Sequence, residues 1–453
     1  MRICLCMLLI LNIVLLGPAI CRGQVIDVFP LQEPGGASRL QVGPDGDIWF
    51  TRSGPARLMR ISDDAIQCVY DSVMTDTRPY QITITPDGVI WLEGFRYIYS
   101  PDLGVYESDI QLPEEYYCFY LSDLGIADAD CRMFVTGFGS SMVDPGYHDC
   151  RIYEVGPGIA PKFKYAGYYL DSILVVSARE CWTLGGYAHG GGSRLWRIDL
   201  DAGTLEAEYR EPLGLPSAKD SEDLLWLNVG PPIGTFDGQS YSVFAEGDEH
   251  LWYHEPVLAA DGAVWSVEST DASIRAPTYF AICRFADGQK RSFTVEDGLL
   301  SNWCESPVID YDGRLWVLNR QFVDSRRPVV GLSRITDGGW PPMRLMLYRL
   351  ETPESISVEA QVINNGPVVG VDVYVALQMN GQLLFWPGWQ PTPSPVQVNL
   401  RPGHNQTATI ISAPRSSIAP GTYTFWGCMT GRNTHKLIGP LNRKFESLTV
   451  EIN

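Results

Sequence analysis

The densest group of side chains with acid–base or metal-binding chemistry lies between residues 249 and 255. The segment reads Glu249-His250-Leu251-Trp252-Tyr253-His254-Glu255. Imidazole and carboxylate groups bind divalent cations and act as general acids and bases. In a strand, however, the two histidines and Trp252 would share one face while the acidic residues and Tyr253 share the other. We keep His250 and His254 as ligand-binding candidates, and a cofactor such as calcium or magnesium stays open.

Other patterns that would indicate catalysis or phosphate binding are incomplete. His189 precedes Gly190-Gly191-Gly192, a loop suited to the rim of a channel, and is our third ligand-binding candidate. A phosphate cradle would need a helix N-terminus after these glycines, and none is predicted. We find no nucleophile elbow and no DxDxDG calcium loop with its distal glutamate. The sequence therefore identifies no catalytic residue.

A second kind of chemistry is suggested by the aromatic segment Phe385-Trp386-Pro387-Gly388-Trp389. It lies in a turn-rich stretch where burial of all three rings is difficult. Exposed tryptophans stack on sugars or pack on partner proteins, so Trp386 and Trp389 are ligand-binding candidates. The alternative is that this loop docks one domain onto another.

Composition predicts that these side chains are positioned by strands. The chain has 453 residues, of which 45% are hydrophobic and 11% aromatic, with 44 Gly and 32 Pro. This mixture is typical of many short strands joined by tight turns. The formal charge is −19, which disfavours nucleic acid and anionic membranes as partners.

A repeat runs through the first three quarters of the chain. Gly43-Pro44-Asp45-Gly46-Asp47-Ile48-Trp49-Phe50 recurs around Trp91, Trp265 and Trp316, and degenerate copies surround Phe134, Trp182 and Trp226. These seven aromatic anchors are 39 to 51 residues apart, the spacing of four-stranded propeller blades. We predict seven blades, with the anchors buried between them. Six is the alternative, because Trp226 and Trp252 compete as the anchor within residues 205–255.

Two of the repeats resemble known propeller families. The string from Gly43 to Thr51 resembles the repeat of virginiamycin B lyase-type propellers, and Ile309-Asp310-Tyr311-Asp312-Gly313-Arg314-Leu315-Trp316 resembles the two-component-regulator propeller repeat. The resemblance covers about 300 residues and implies the fold. Arg52 stands where the lyase repeat usually continues with Glu, and the catalytic histidine and glutamate motif of that family is not found. The lyase activity and its magnesium site are therefore not carried over.

The N-terminus has the order of regions found in a secretory signal peptide. Arg2 precedes an apolar run from Ile3 to Leu16, and residues 1–23 are predicted to be removed. A lipoprotein anchor at Cys21 is a minor alternative. No later segment is long and apolar enough to span a membrane. We therefore expect a secreted or periplasmic protein.

Export makes disulfides possible among the eight remaining cysteines. Cys131 and Cys150 are the best candidate pair, because they flank the arms of a predicted hairpin, 132–138 and 151–155. Cys283 with Cys304 is a weaker second pair. Buried free thiols are an equal alternative for the others.

We predict a propeller over residues 24–344 and an antiparallel β-sandwich over residues 345–453. The segment Ser357 to Pro367 followed by Asp372 to Leu377 resembles the immunoglobulin-like adhesion-type modules of bacterial exported proteins. Residues 345–453 contain 7 basic and 6 acidic residues, so the propeller carries the negative charge of the chain.

These features predict a non-catalytic binding protein that presents a ligand site at the acidic rim of the propeller, with the sandwich serving attachment or contact. A protein or a glycan is the expected partner, and nucleic acid is not. The alternatives are a metal-dependent propeller enzyme of the lyase or lactonase kind and a carbohydrate binder acting through Trp386 and Trp389. The oligomeric state stays open.

Overall fold

The computed structural model describes residues 25–52, 57–71, 82–92, 97–100, 104–107, 124–127, 132–140, 148–156, 159–168, 170–177, 179–186, 193–210, 214–228, 232–246, 251–270, 280–301, 303–321, 328–337, 339–379, 381–434, 436–440 and 443–452. The predicted signal peptide, 1–23, lies outside these ranges together with Cys21, His189 and His250.

Seven antiparallel sheets of four strands each are found in the described part of the chain. Six consist of consecutive strands paired in order of sequence. The seventh combines the last three strands of the series with β1 (Val25–Gly35), which pairs with β28. The N-terminal strand thus joins the two ends of the series.

The first three sheets contain β2 (Gln41–Val42), β3 (Ile48–Arg52), β4 (Arg57–Ser62) and β5 (Ala65–Asp71); β6 (Ile82–Ile84), β7 (Ile90–Leu92), β8 (Tyr97–Ser100) and β9 (Gly104–Glu107); and β10 (Leu124–Ala127), β11 (Arg132–Ser140), β12 (His148–Gly156) and β13 (Ile159–Tyr168). The next three contain β14 (Asp171–Ser177), β15 (Glu180–Gly186), β16 (Ser193–Asp199) and β17 (Thr204–Tyr209); β18 (Leu215–Lys219), β19 (Leu225–Asn228), β20 (Ile233–Phe236) and β21 (Tyr241–Ala245); and β22 (Leu251–Leu258), β23 (Val264–Thr270), β24 (Phe280–Ala286) and β25 (Gln289–Phe293). The seventh contains β26 (Trp303–Ile309), β27 (Leu315–Arg320), β28 (Val329–Thr336) and β1.

The first strands of these sheets contact one another around an axis. β2 contacts β6 and β26, and the same contact joins β10 to β14, β14 to β18, β18 to β22 and β22 to β26. Radial packing of four-stranded sheets around their first strands defines a β-propeller with a central channel. The predicted β-propeller is thereby confirmed.

The repeated aromatic anchor lies in the second strand of each sheet and is buried. Trp49, Trp265 and Trp316 are all at most 5% exposed. Trp226 lies in β19 whereas Trp252 lies in β22, so Trp226 is the anchor of its sheet. In four sheets the anchor is capped by an arginine from the third strand, in the pairs Trp49–Arg60, Trp182–Arg197, Trp265–Arg284 and Trp316–Arg334. The prediction that the anchors are core residues is confirmed.

The residues after the propeller form two further sheets around one core. The smaller sheet contains β29 (Met343–Glu351), β30 (Ser355–Asn364) and β34 (His404–Pro414), and the larger contains β31 (Val369–Met379), β32 (Gln382–Phe385), β33 (Val396–Leu400), β35 (Gly421–Gly431), β36 (Leu437–Ile438) and β37 (Glu446–Ile452). Val358 and Val375 enter the shared core from the two sides. Two single-turn 3-10 helices lie at Val295–Asp297 and Arg415–Ser417. We call residues 343–452 the C-terminal domain.

The proposed disulfide between Cys131 and Cys150 stays a prediction, because Cys131 lies outside the described residues. The register of the hairpin places Cys150 opposite Phe138 and Met133 opposite Val155.

The second proposed disulfide, between Cys283 and Cys304, is wrong, because both cysteines are free thiols. Cys283 and Cys304 are both buried and unpaired, and they lie in different hydrophobic clusters on the two sides of the sixth sheet. Cys68, Cys181 and Cys428 are also free. Burial raises the pKa of the Cys181 and Cys428 thiols to about 12, so the thiolate form is disfavoured at neutral pH.

Candidate functional site at the open end of the channel

Strand direction defines two different ends of the propeller. In each sheet the first strand runs into the turn that begins the second strand, and the third runs into the turn before the fourth. Both turns lie at one end, which we call the turn end. Each second strand finishes and each third strand begins at the opposite end, which we call the open end. Arg52 and Arg57 mark the open end of the first sheet.

Three glycines of the C-terminal domain pack directly against the turn end. A side chain at any of them would collide with a carbonyl oxygen of a first turn. The pairs are Gly370 with Pro86, Gly403 with Asp220 and Gly431 with Pro44. Because these turns belong to the second, fifth and first sheets, the domain spans the turn end from one side to the other.

Polar and apolar contacts hold the C-terminal domain there. The Asn365 amide donates to the Ala259 oxygen over 3.0 Å, in the sixth sheet. Lys444 donates to Asp312 over 2.5 Å, in the turn of the seventh sheet. Tyr311 from the same turn is 2% exposed and belongs to the core of the C-terminal domain. The turn end is therefore an interface within the chain.

Hydrogen bonds between first strands line the channel of the sixth, seventh and first sheets. The Glu255 carboxylate accepts a bond from the Ser306 backbone over 2.7 Å, and the Ser306 hydroxyl accepts one from the Leu40 backbone over 2.7 Å. Both Glu255 and Ser306 have positive φ, at irregularities of β22 and β26 that precede a proline. These irregularities turn the two side chains toward the next sheet.

One ion pair crosses this part of the channel. The Arg39 guanidinium lies 3.8 Å from the free oxygen of Glu255, and the two side chains are 67% and 37% exposed. Glu255 lies on the first strand of the sixth sheet and Arg39 lies two residues before β2, and this exposure makes both available to a ligand that enters the channel. A guanidinium and a carboxylate side by side can bind a ligand with a polar or zwitterionic group.

His254 precedes Glu255 on β22. Its Nε2 is 2.9 Å from the Ser269 hydroxyl, and its ring stacks on Trp252. Burial lowers the pKa of His254. The predicted common face of Trp252 and His254 is confirmed, whereas the irregularity at Glu255 brings that carboxylate toward the seventh sheet instead of the Tyr253 side. A neutral imidazole can accept or donate a hydrogen bond to a ligand.

The remaining titratable groups of this region are committed to structure. Lys290 reaches Glu268 over 2.5 Å and the Tyr253 hydroxyl over 3.0 Å, and both partners are less than a tenth exposed. Such a mutually satisfied cluster ties three strands of the sixth sheet, β22, β23 and β25, to one another. Among the residues that the structure describes, no group of three His, Cys, Asp or Glu side chains could hold a metal ion.

The ligand-binding candidates predicted from the sequence do not form one site among the described residues. His254 lies at the channel, while His189 and His250 lie outside the described residues. Trp386 and Trp389 are half-buried and pack against the core of the C-terminal domain. The Trp386 backbone donates to Val375, five positions along β31 from Gly370, where the strand meets the propeller.

Sequence reasoning missed Arg39, Glu255 and Ser306. All three stand ten residues before their aromatic anchors, Trp49, Trp265 and Trp316. Aligning the repeats on the anchor would have exposed this shared position at the channel, and the proline after Glu255 and Ser306 is a further indication of an irregular strand.

Comparison with known proteins finds similarity at the level of structure. No protein-family model and no curated protein matches the sequence. The virginiamycin B lyase of Staphylococcus aureus is 16% identical, with 69% of this chain and 99% of the lyase chain covered and a TM-score of 0.47. The oligogalacturonate lyase of Vibrio parahaemolyticus is 9% identical over 69% of this chain and 96% of its own, with a TM-score of 0.47.

A third similar structure extends over both domains. The extracellular domain of the hybrid two component system BT3049 from B. thetaiotaomicron is 14% identical, with 93% of this chain and 56% of that chain covered and a TM-score of 0.45. Similarities at these identities and TM-scores carry no information on what this chain binds or catalyses. In the described residues no helix is long and apolar enough to cross a membrane.

Proposed function

We propose that this chain is an exported binding protein that recognises a ligand or partner at the open end of a seven-bladed propeller. The observation that carries the proposal is the position of the C-terminal domain, which occupies the turn end at the first, second, fifth, sixth and seventh sheets. A ligand therefore reaches the channel from the opposite end, where the second strands finish and the third strands begin.

The electrostatics support an acidic rim at the open end. At the turn end several acidic side chains have basic partners: Arg60 binds Asp45 and Asp47, and Lys444 binds Asp312. The segments that lead from second to third strands and from sheet to sheet, outside the described ranges, contain twelve acidic and five basic residues. A partner with a basic or neutral surface suits this charge, whereas nucleic acid does not.

The proposal includes export and a sandwich-like C-terminal domain. The signal-peptide pattern of residues 1–23 supports a secreted or periplasmic location. The three-stranded and six-stranded sheets, which share one core, support an immunoglobulin-like β-sandwich whose first role is to cap the propeller. Either a protein or a glycan is an acceptable partner at the rim.

The test compares two exposed ion pairs. The mature chain is screened against arrays of extracellular proteins and of glycans at physiological salt, and affinities for the binders are measured by calorimetry. Arg39→Ser and Glu255→Gln at the channel should weaken binding about tenfold. Arg197→Ser and Glu206→Gln remove a comparable pair, 3.1 Å apart on the third and fourth strands of the fourth sheet, and should have no effect. A binder sensitive only to the second pair would contradict the proposal.

A further inference from the structure

The outer face of the six-stranded sheet carries an aromatic groove. Even-numbered side chains of β31 and β35 point away from the domain core, because Val371, Val373 and Val375 point into it. The groove is lined by Tyr374, Ala376, Leu383, Phe385, Trp426, Gly427, Cys428 and Phe445. None of these side chains carries a charge at neutral pH.

The ring of Trp426 is fixed within this groove. Trp426 lies opposite Ala376, and its indole nitrogen donates to the Gln378 amide over 3.0 Å. Trp426, Tyr374 and Phe445 are only partly buried, so parts of their rings are accessible. Fixed, partly exposed aromatic rings form a platform for a flat apolar ligand surface.

One buried carboxylate on the same face of β31 has an oxygen without a hydrogen-bond partner. Asp372 precedes Tyr374 on this face and is 4% exposed. Its Oδ2 accepts a bond from the Asn433 backbone over 2.9 Å, while its Oδ1 has no hydrogen-bond partner among the described residues. Burial first, and then the nearby Asp372, raise the pKa of the Tyr374 hydroxyl. A buried acceptor of this kind is costly unless a ligand or water satisfies it.

We propose that this groove binds a neutral saccharide, with the Trp426 and Tyr374 rings stacking on the sugar and Asp372 accepting one of its hydroxyl groups. A sugar ring combines an apolar C–H face with hydroxyl donors at its edge, which matches an aromatic platform with an unpaired acceptor on the same face. Asp372 and the negative charge of the whole chain favour a neutral over an anionic sugar.

A peptide fits the groove less well. The strands that form its floor already pair their backbone groups with one another, in the pairs β31–β32, β31–β35 and β35–β37. A peptide lying on this face would therefore leave its own backbone N–H and C=O groups unsatisfied. A sugar keeps its remaining hydroxyls at the rim, in water. The groove is separate from the channel, so the saccharide proposal is tested independently of the function proposed above.

The experiment is affinity electrophoresis of the mature chain in gels containing soluble xylan, galactomannan, laminarin or starch. We expect at least one of these neutral polysaccharides to retard the protein, and calorimetry with the corresponding oligosaccharide then gives an affinity. Trp426→Ala should lower that affinity tenfold or more, and Asp372→Asn, which keeps the side-chain shape, should lower it about tenfold.

The matched control is Trp386→Ala. Trp386 is another half-buried tryptophan of the same domain, but it packs against the domain core. Its removal should leave retention unchanged, and circular dichroism with thermal unfolding verifies that each variant is folded. Tyr374→Ala, which removes the second stacking ring, tests the groove should Trp426→Ala fail to fold.

Three results would overturn the proposal: no retardation by any of the four polysaccharides, retention unaffected by Asp372→Asn together with Tyr374→Ala, or loss of retention in Trp386→Ala alone. Competition by an unstructured peptide but by no oligosaccharide would assign the groove to a peptide and would equally reject the saccharide.

Discussion

A single carboxylate performs two tasks in the best-preserved repeats. Asp310 Oδ1 accepts the backbone N–H groups of Asp312 and Arg314, and its Oδ2 accepts the indole N–H of Trp316 over 2.9 Å. Asp220 binds Trp226 in the same way over 2.7 Å. The turn and the anchor are thus fixed together, which explains why an acidic residue stands six positions before the tryptophan in both repeats.

Replacing this carboxylate should be costly. Asp310→Ala leaves the Trp316 indole and two turn N–H groups without acceptors in a region where Asp310 is 1% exposed. We expect a loss of about 3 kcal/mol in the free energy of unfolding, measured by urea denaturation. Asp237 accepts two backbone bonds in an exposed outer turn, so Asp237→Ala is the control and should cost less. Equal losses would show that the bond to the buried indole contributes nothing.

His254 should make stability depend on pH. Burial lowers its pKa below the ordinary 6.5, so the unfolded chain binds the proton more readily than the folded chain. The effect of His254 on the free energy of unfolding is therefore absent above about pH 7, and it becomes destabilising as the pH falls through 6.5. His254→Gln keeps a polar partner for Ser269. It should reduce the change in the free energy of unfolding between pH 7.5 and 5.5. Parallel curves for the two proteins would exclude this role.

At the scale of elements, glycines decide how the two domains meet. A β-carbon at Gly370, in β31, would overlap the carbonyl oxygen of Pro86. Gly370→Ala should therefore force the C-terminal domain away from the turn end and cost about 2 kcal/mol in thermal unfolding. At Gly388 the nearest atom to an added β-carbon is 3.4 Å away, so Gly388→Ala should change stability by less than about 0.5 kcal/mol. If Gly370→Ala left the stability unchanged, the contact between β31 and the Pro86 carbonyl oxygen would tolerate displacement.

The strands themselves were largely predictable, and their register was not. Period-two alternation and Asp-Gly turns act between neighbouring residues, so the second strands around Trp49, Trp91, Trp265 and Trp316 follow from local sequence. The pairing of β11 with β12 places Cys150 opposite Phe138, and this register is set by both strands together rather than by the alternation within either one. The directions of the Glu255 and Ser306 side chains could not be predicted either, because each is set by a hydrogen bond to the neighbouring sheet.

At the scale of the whole molecule, the two domains should unfold as one unit. Tyr311 belongs to the propeller by sequence and to the core of the C-terminal domain by packing. A chain ending at residue 340 would expose Tyr311 and the turns that bear on Gly370, Gly403 and Gly431. We expect it to melt at a lower temperature and to bind a hydrophobic dye in the folded state. A truncated chain that melts like the full chain and binds no dye would show that the domains are independent.

The sequence by itself determined the class of fold, the second strands of the best-preserved repeats and the buried role of their anchors, because these depend on side-chain alternation and turn chemistry within a few residues. It also indicated the acidic propeller and the near-neutral C-terminal domain. Only the tertiary structure decided which end of the channel is covered, because that depends on contacts such as Asn365 with Ala259, 106 residues apart. The same holds for the groove on β31 and β35, where Asp372 and Trp426 are brought onto one face by strand register, and for Arg39 and Glu255, which meet because the ring closes.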